Sequence, residues 1–380
     1  MTYVTGERTL DTGLLTYTPR HTILVVFNTL WIPIMFDSSP RIKYSKSSGF
    51  YMKTKADYFS ENEKYLELAR KQNRLYSSQP HRKNCKICNT LLPRSIDFTS
   101  HEIGYVFCEE CNHLNGIYDD TSSFVKEIYI DSDGSDYASE YFDENYLQRT
   151  EDIYIPKVDF LLTSLPKQKL KILDIGCGSG YFVLGCLLRS IAATGLDIGS
   201  ASVRFGNDQI MYHFKESPLI CVEEDAFFEE IKNTDANVVS AIGVIEHLRE
   251  PHRFFEAFKL SNAKYLYYQV PMFSLSVVLE NILSNVFPRQ LFGDHTHLFT
   301  EQSLAKLNNL IGVETLAEWR FGADIMDLYR SILVNLELNQ SSKKMIDYVN
   351  EGLGAKIDEL QAVIDQNHFC SDIHVVAKKS

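Results

Sequence analysis

Leu173-Asp174-Ile175-Gly176-Cys177-Gly178-Ser179-Gly180 closes a short apolar run that begins at Lys171 and leads directly into a helical pattern over 181–190. Glycine at 176, 178 and 180 lets the backbone turn tightly and approach a ligand with no Cβ in the way. A helix N-terminus beyond such a turn favours an anion. A dinucleotide fingerprint, however, needs a third glycine at the sixth position of Gly-x-Gly-x-x-Gly, and Tyr181 stands there. Asp174, immediately before the loop, would repel a pyrophosphate, and no Walker lysine follows. The loop therefore suits a ligand with a cationic end and no phosphate.

Outward from this loop, short β-rich runs alternate with helical ones. Strands are predicted at 171–175, 192–197, 219–222, 238–242 and 265–270, with helices at 181–190, 200–211, 226–232 and 252–260. Such alternation implies parallel strands joined by right-handed crossovers, a doubly wound α/β sheet. A longer apolar helix is expected at 274–287. Helix 301–311, a strand at 313–320, helices near 323–338 and 343–366, and a last strand at 372–377 complete the pattern. The second strand ends on Asp197, 17 residues past Gly180, where a carboxylate can hydrogen-bond a ribose diol. After the third strand, Asp225 can accept from an exocyclic amine, and the amide of Ala226 can donate to a ring nitrogen. Together these describe an adenosine whose 5′ end is cationic, and S-adenosylmethionine fits that description.

At these residues the sequence resembles the class I S-adenosylmethionine-dependent methyltransferases, over roughly 150–380 and most specifically over 170–248. The resemblance implies a Rossmann-like sheet of seven strands with the last one antiparallel. It assigns Asp174, Gly176, Gly178 and Gly180 to the methionine end of the cofactor, Asp197 to the ribose, and Asp225 with Ala226 to the adenine edge. Val244-Ile245-Glu246-His247-Leu248, after the fourth strand, matches a Glu-His-Leu segment of the branch that methylates small molecules such as ubiquinone precursors and sugars.

Cys85-x-x-Cys88 and Cys108-x-x-Cys111 lie 19 residues apart, the spacing of a four-Cys zinc ribbon. Four thiolates fill a tetrahedral Zn²⁺ shell, so the ion they imply is structural. A zinc module ahead of a methyltransferase domain resembles the deoxysugar C-methyltransferases on one side and a group of ribosomal RNA guanine methyltransferases on the other. Cys177, Cys186, Cys221 and Cys370 read as isolated core residues.

Methyl transfer from a sulfonium is an in-line displacement dominated by positioning, and a base is needed only where the acceptor must lose a proton. Glu246 and His247 fall at the carboxyl end of the fourth strand, where open α/β sheets bind ligands. The ordinary pKa of His, ~6.5, suits a base, and the matching His of the sugar C-methyltransferases points to His247 for that role. The alternative is that both residues orient the loop. Asp294, His295 and His297 form a second cluster that either binds a divalent metal such as Mg²⁺ or buttresses the loop, with Thr300 capping the next helix. Tyr141, Tyr146 and Tyr154 precede the fold, and the resemblance implies aromatic residues there at the acceptor site.

The remaining sequence frames this reading. The 380 residues are 44% hydrophobic and 23% charged, ordinary globular values that exclude disordered, collagenous and disulfide-stapled chains. A net charge of −12 disfavours a long nucleic-acid track. The longest apolar run, Ile23 to Phe36, is too short to span a bilayer. Unpaired cysteines suit a reducing, cytoplasmic location. The layout is then a poorly ordered extension at 1–51, possessing no chemistry-bearing motif, a helix at 52–80, the zinc ribbon at 81–118, an acidic linker and helix at 119–151, and the methyltransferase domain at 152–380. The expected activity is methyl transfer to a small-molecule or glycan-precursor acceptor of the nucleotide-sugar type, by a chain open to oligomerisation. Two alternatives stand beside it. One is an RNA methyltransferase with Arg82, Lys83, Lys86 and Arg94 as a basic face of the ribbon; the other is a non-catalytic cofactor-binding module.

Overall fold

The computed structural model describes residues 39–49, 57–129, 145–291 and 295–380, with Met52 and Lys55, and strands over 22–27 and 30–35. The first unit, Met1–Arg41, contains an antiparallel hairpin of β1 (Thr22–Phe27) and β2 (Leu30–Met35). Everything from Ile42 to Ser380 forms the second. Its strands are β3 (Arg41–Tyr44), β4 (Phe98–Ser100), β5 (Ile103–Phe107), β6 (Leu114–Gly116), β7 (Lys171–Ile175), β8 (Ala192–Asp197), β9 (Leu219–Cys221), β10 (Val238–Ile242), β11 (Tyr265–Pro271), β12 (His297–Leu298), β13 (Val313–Phe321) and β14 (Asp372–Lys379).

The central sheet runs β3-β13-β14-β11-β10-β7-β8-β9. β9, β8, β7, β10 and β11 are mutually parallel, and β14 lies antiparallel between β11 and β13. The resemblance implies seven strands with the last one antiparallel. The sheet has eight, because β3, from the segment read as an extension, joins the β13 edge. The chain just after β3 is fixed there by Ser45 N–H on the Arg320 carbonyl (2.9 Å) and by the Trp319 indole N–H on the Ser45 carbonyl (2.9 Å).

Side chains alternate across the sheet as strand geometry requires. Leu173 and Ile175 of β7, Leu266 and Tyr268 of β11 and Val375 of β14 face one core, closed by Phe254, Phe255 and Phe258, by Phe227 and Ile231, and by Leu304 and Leu307. Ile172, Tyr265, Tyr267 and Val376 face the other, closed by Val158, Phe160 and Leu161, by Val183 and Leu184, and by Ile210. Three helices thus cover each face, which is why the strands read as near-continuous apolar runs. Two predicted helices end early. The one expected over 274–287 stops at Ile282, because the chain returns so that backbone N–H groups of Arg289, Gln290 and Leu291 reach the buried Glu280 carboxylate (2.7, 2.6 and 3.0 Å). The one expected over 343–366 breaks into Lys343–Gly352 and Ile357–Gln366 around Gly354. In place of one helix over 52–80 there are two, Asp57–Ser60 and Asn62–Ser77.

A second sheet runs β12-β6-β5-β4 and carries the paired cysteines. Among the described residues no helix is long and apolar enough to cross a membrane.

Candidate active site

The carboxyl ends of β7, β8, β10 and β11 border a cavity of about 1690 Å³. A pocket for one drug-sized ligand has roughly 300–1,000 Å³, so this one has room for two ligands at once. Asp174, Gly176, Gly178, Asp197, Phe227, Glu246, His247 and His295 all line it.

At the glycine loop the backbone takes the left-handed conformation at Gly176 and Gly178, with φ of 63° and 51°. A Cβ on Gly176 would come within 2.6 Å of Val244, whereas nothing lies within 4 Å of the position of one on Gly178. Gly178 therefore leaves open space over the loop, as a bound ligand would need. Asp174 is buried and accepts from the Ser240 hydroxyl (2.6 Å). Burial pushes its pKa up to about 7, against the Ser240 hydrogen bond and the positive charge of Lys157. Asp197 accepts from the backbone N–H groups of Gly178 and Gly199 (2.7 Å each), so one carboxylate ties the ends of β7 and β8 together. Asp225 lies elsewhere. It sits in the first turn of helix Glu224–Asn233, its side chain is 84% exposed, and it pairs with Arg253 at 2.6 Å. Neither it nor Ala226 lines the cavity; Phe227, in the next turn position, does.

Val244, Glu246 and His247 follow β10 through a one-turn 3₁₀ helix, Ile245–His247. Glu246 is 2% exposed, and its Oε1 lies 3.8 Å from His247 Nε2. The His247 ring stacks on that of His295, with centroids 5.2 Å apart and planes 25° apart. Ligand atoms of Glu246, His247 and His295 lie within 4.8 Å of one another. His295 Nδ1 is held by the Gln290 carbonyl at 2.9 Å. The sequence grouped His295 with Asp294 and His297. Asp294 lies outside the described residues. His297 is buried in β12, away from the cavity, with its Nδ1 on His113 Nε2 at 2.8 Å, and burial holds both imidazoles well below their ordinary pKa. Two imidazoles and one carboxylate are donors for a softer divalent ion than Mg²⁺, which prefers an all-oxygen shell; the set that forms does not fit Mg²⁺.

Cys85, Cys88, Cys108 and Cys111 converge, with Sγ···Sγ separations of 3.7 Å (Cys85–Cys111) and 3.4 Å (Cys88–Cys108). A tetrahedral Zn²⁺ with Zn–S near ~2.3 Å has S···S edges of about 3.8 Å, so the four thiols fit that ion. The cluster is joined to the wall of the cavity. Lys86, beside Cys85, is buried, bonds Asp120 and donates to the Arg249 carbonyl at 2.8 Å, two residues past His247. Arg82 also bonds Asp120 (2.9 Å). Two of the four residues expected on a basic face are thus turned inward, and Lys83 and Arg94 remain exposed.

Residues 146–318 match the sequence profile of a family described as a methyltransferase domain. This part of the chain is a methyltransferase domain. Solved structures similar to the chain include a methyltransferase from Archaeoglobus fulgidus dependent on S-adenosylmethionine (17% identity, TM-score 0.38, 62% of this chain and 100% of that one). Others are the magnesium protoporphyrin IX methyltransferase of Synechocystis (13%, TM-score 0.43, 68% and 100%) and phosphoethanolamine N-methyltransferase 2 of Haemonchus contortus (13%, TM-score 0.41, 70% and 62%). No curated protein matches the chain.

Around the methyltransferase loop, Tyr146 and Tyr154 both stack on the Tyr181 ring (4.3 and 5.2 Å), and the Tyr146 hydroxyl donates to the Ser179 carbonyl at 2.6 Å. Tyr154 lines the cavity, while Tyr141 lies outside the described residues. Cys186 and Cys370 are buried as expected of core residues, whereas Cys221 is exposed on the edge strand β9. Sequence reasoning passed over Lys43, Lys46, Lys157 and Arg289, which also line the cavity.

Proposed function

We propose that the chain transfers the methyl group of S-adenosylmethionine to a small-molecule or glycan-precursor acceptor, with His247 as the base. The observation that carries this reading is that the glycine loop and the Glu246–His247–His295 group line one continuous cavity large enough for cofactor and acceptor together. When bound, the cofactor supplies a methyl already activated on a sulfonium. Asp174 would take its ammonium group, Asp197 its ribose hydroxyls, and Phe227, rather than Asp225 and Ala226, would pack on the adenine. His247 would remove the acceptor proton, and the buried Glu246 carboxylate would stabilise the imidazolium that forms. His295, stacked on His247, would fix its ring plane. The thiolates of Cys85, Cys88, Cys108 and Cys111 would hold a structural Zn²⁺, with no open position for chemistry. The inward pairing of Arg82 and Lys86 weighs against RNA as the acceptor.

The test is transfer of labelled methyl to a cell extract fractionated into small molecules, glycans, RNA and protein. The label is expected in the small-molecule or glycan fraction, and label confined to RNA or protein would refute the acceptor class. With the acceptor in hand, His247→Asn should lower turnover by about 10²–10⁴ while S-adenosylhomocysteine still binds; full turnover would remove the base role.

A further inference from the structure

One part of the same cavity has a charge opposite to that of the chain. Lys43, Lys46 and Lys157 line it there, brought together from two segments distant in sequence. Lys43 and Lys46 come from β3 and the turn after it. Lys157 comes from the first turn of helix Ile155–Ser164. The floor beneath is aromatic, with Trp319, Phe321 and His374 in mutual ring contact at 4.8 to 5.6 Å. Lys43 Nζ sits 3.5 Å from the Trp319 ring centroid, Lys46 Nζ 5.2 Å from that of Phe321, and Lys157 Nζ 4.8 Å from that of Tyr154. Flat rings place the ammonium groups without neutralising them. Among the described residues none of the three lysines forms an ion pair within 4.0 Å. The charged neighbour that all but Lys43 feel is Asp372, with Asp174 and Arg149 also acting on Lys157 and Asp159 on Lys43. Burial, and the lysines' repulsion of one another, lowers the pKa of Lys46 and of Lys157. An ammonium cluster that stays crowded in this way gains from a bound anion.

We propose that Lys43, Lys46 and Lys157 form an anion subsite that holds a phosphate or diphosphate group of the acceptor in this cavity. The subsite rests on the small-acceptor reading above and narrows it to phosphorylated acceptors. Lysine, a point charge with three donors, binds phosphate without demanding one orientation. The aromatic floor gives the adjoining part of the acceptor an apolar face to lie on.

The experiment is calorimetric titration of the full chain with inorganic pyrophosphate and, separately, with S-adenosylhomocysteine. The parent chain should bind pyrophosphate, with an affinity that falls as salt rises. Lys46→Gln and Lys157→Met should each weaken that binding tenfold or more, and Lys46→Gln should leave S-adenosylhomocysteine within threefold. Lys46→Arg, which keeps the charge, should retain it, and its retention shows that loss in Lys46→Gln is not a folding failure. No pyrophosphate binding by the parent, or binding unchanged in both charge-removing variants, overturns the subsite. Loss of S-adenosylhomocysteine affinity in Lys46→Gln also overturns it, by assigning the lysines to the cofactor's carboxylate. Failure of the parent to bind S-adenosylhomocysteine is a separate result, and strikes the methyltransferase reading itself.

Discussion

Lys86→Met removes the link between the cysteine cluster and the loop that follows His247. In the native chain the Lys86 side chain, 4% exposed, makes two charge-assisted hydrogen bonds, to Asp120 and to the Arg249 carbonyl. Each such bond contributes roughly 1.5–3 kcal/mol, and breaking a buried pair by deleting one partner costs about 3–5 kcal/mol. Two features reduce that cost here. Asp120 keeps Arg82, at 2.9 Å, and methionine fills the same volume without a buried ammonium, whose pKa burial has already pushed down to about 8. The expected net loss is therefore about 2–3 kcal/mol, nearer the lower bound for a broken pair. At roughly 2–4 °C per kcal/mol for domains of 150–250 residues, the melting temperature should fall by about 4–12 °C. The second readout is functional. Loss of the Arg249 anchor should lower turnover of the acceptor while S-adenosylhomocysteine affinity, read by calorimetry, stays within threefold. A melting temperature within 1 °C of the parent would refute the claim that this lysine joins the two parts, and equal losses of cofactor affinity and turnover would refute its confinement to the acceptor side.

With the Asp174 carboxyl raised to about 7, cofactor binding should depend on pH. A folded-state pKa above the unfolded value means that its contribution to stability is fully present below about pH 4 and lost as pH rises through 7. A cofactor ammonium needs the ionised form, so S-adenosylhomocysteine affinity should fall about tenfold per unit below pH 7, and Asp174→Asn should flatten that slope; a native slope that is already flat would refute the contact. Cys88→Ser should bring the zinc content, read by metal analysis of the purified chain, from one ion per chain to well below one, together with a lower melting temperature. A full complement of zinc in that variant would remove Cys88 from the ligand set.

The parallel part of the sheet was legible because its strands are covered on both faces and therefore run apolar, as Leu173, Ile175, Leu266 and Tyr268 do. The glycine loop and its two acids were legible because they are local and depend on a tight turn. What was lost depends on partners far away in the chain. Helix 274–287 looked continuous because nothing local to Glu280 announces that it will collect three backbone N–H groups from 289–291. His297 stood open between metal ligand and loop buttress because the partner that decides it, His113, is 184 residues away. Asp225 has the right residue type at the right strand end, yet Arg253, at 28 residues' separation, turns it outward. The break in helix 343–366 had a visible signal, Gly352 and Gly354 in close succession, that the amphipathic pattern overrode. Lys43 and Lys46 escaped because composition alone gave the segment before residue 51 no role.

β6 is an interior strand of the cysteine-bearing sheet only because β12 lies beside it, with Asn115 opposite His297 and Leu114 opposite Leu298. On the ribosome, all four cysteines emerge long before that partner is made. The thiols can capture their ion early, but until then β6 presents a bare edge of N–H and C=O groups, the feature that templates pairing with other chains. Closing the gap is a slow, non-local step. The cysteine segment is therefore not an excisable finger: a fragment ending before 295 should hold metal yet self-associate, and the length of nascent chain at which that tendency disappears marks the moment the two-residue strand docks.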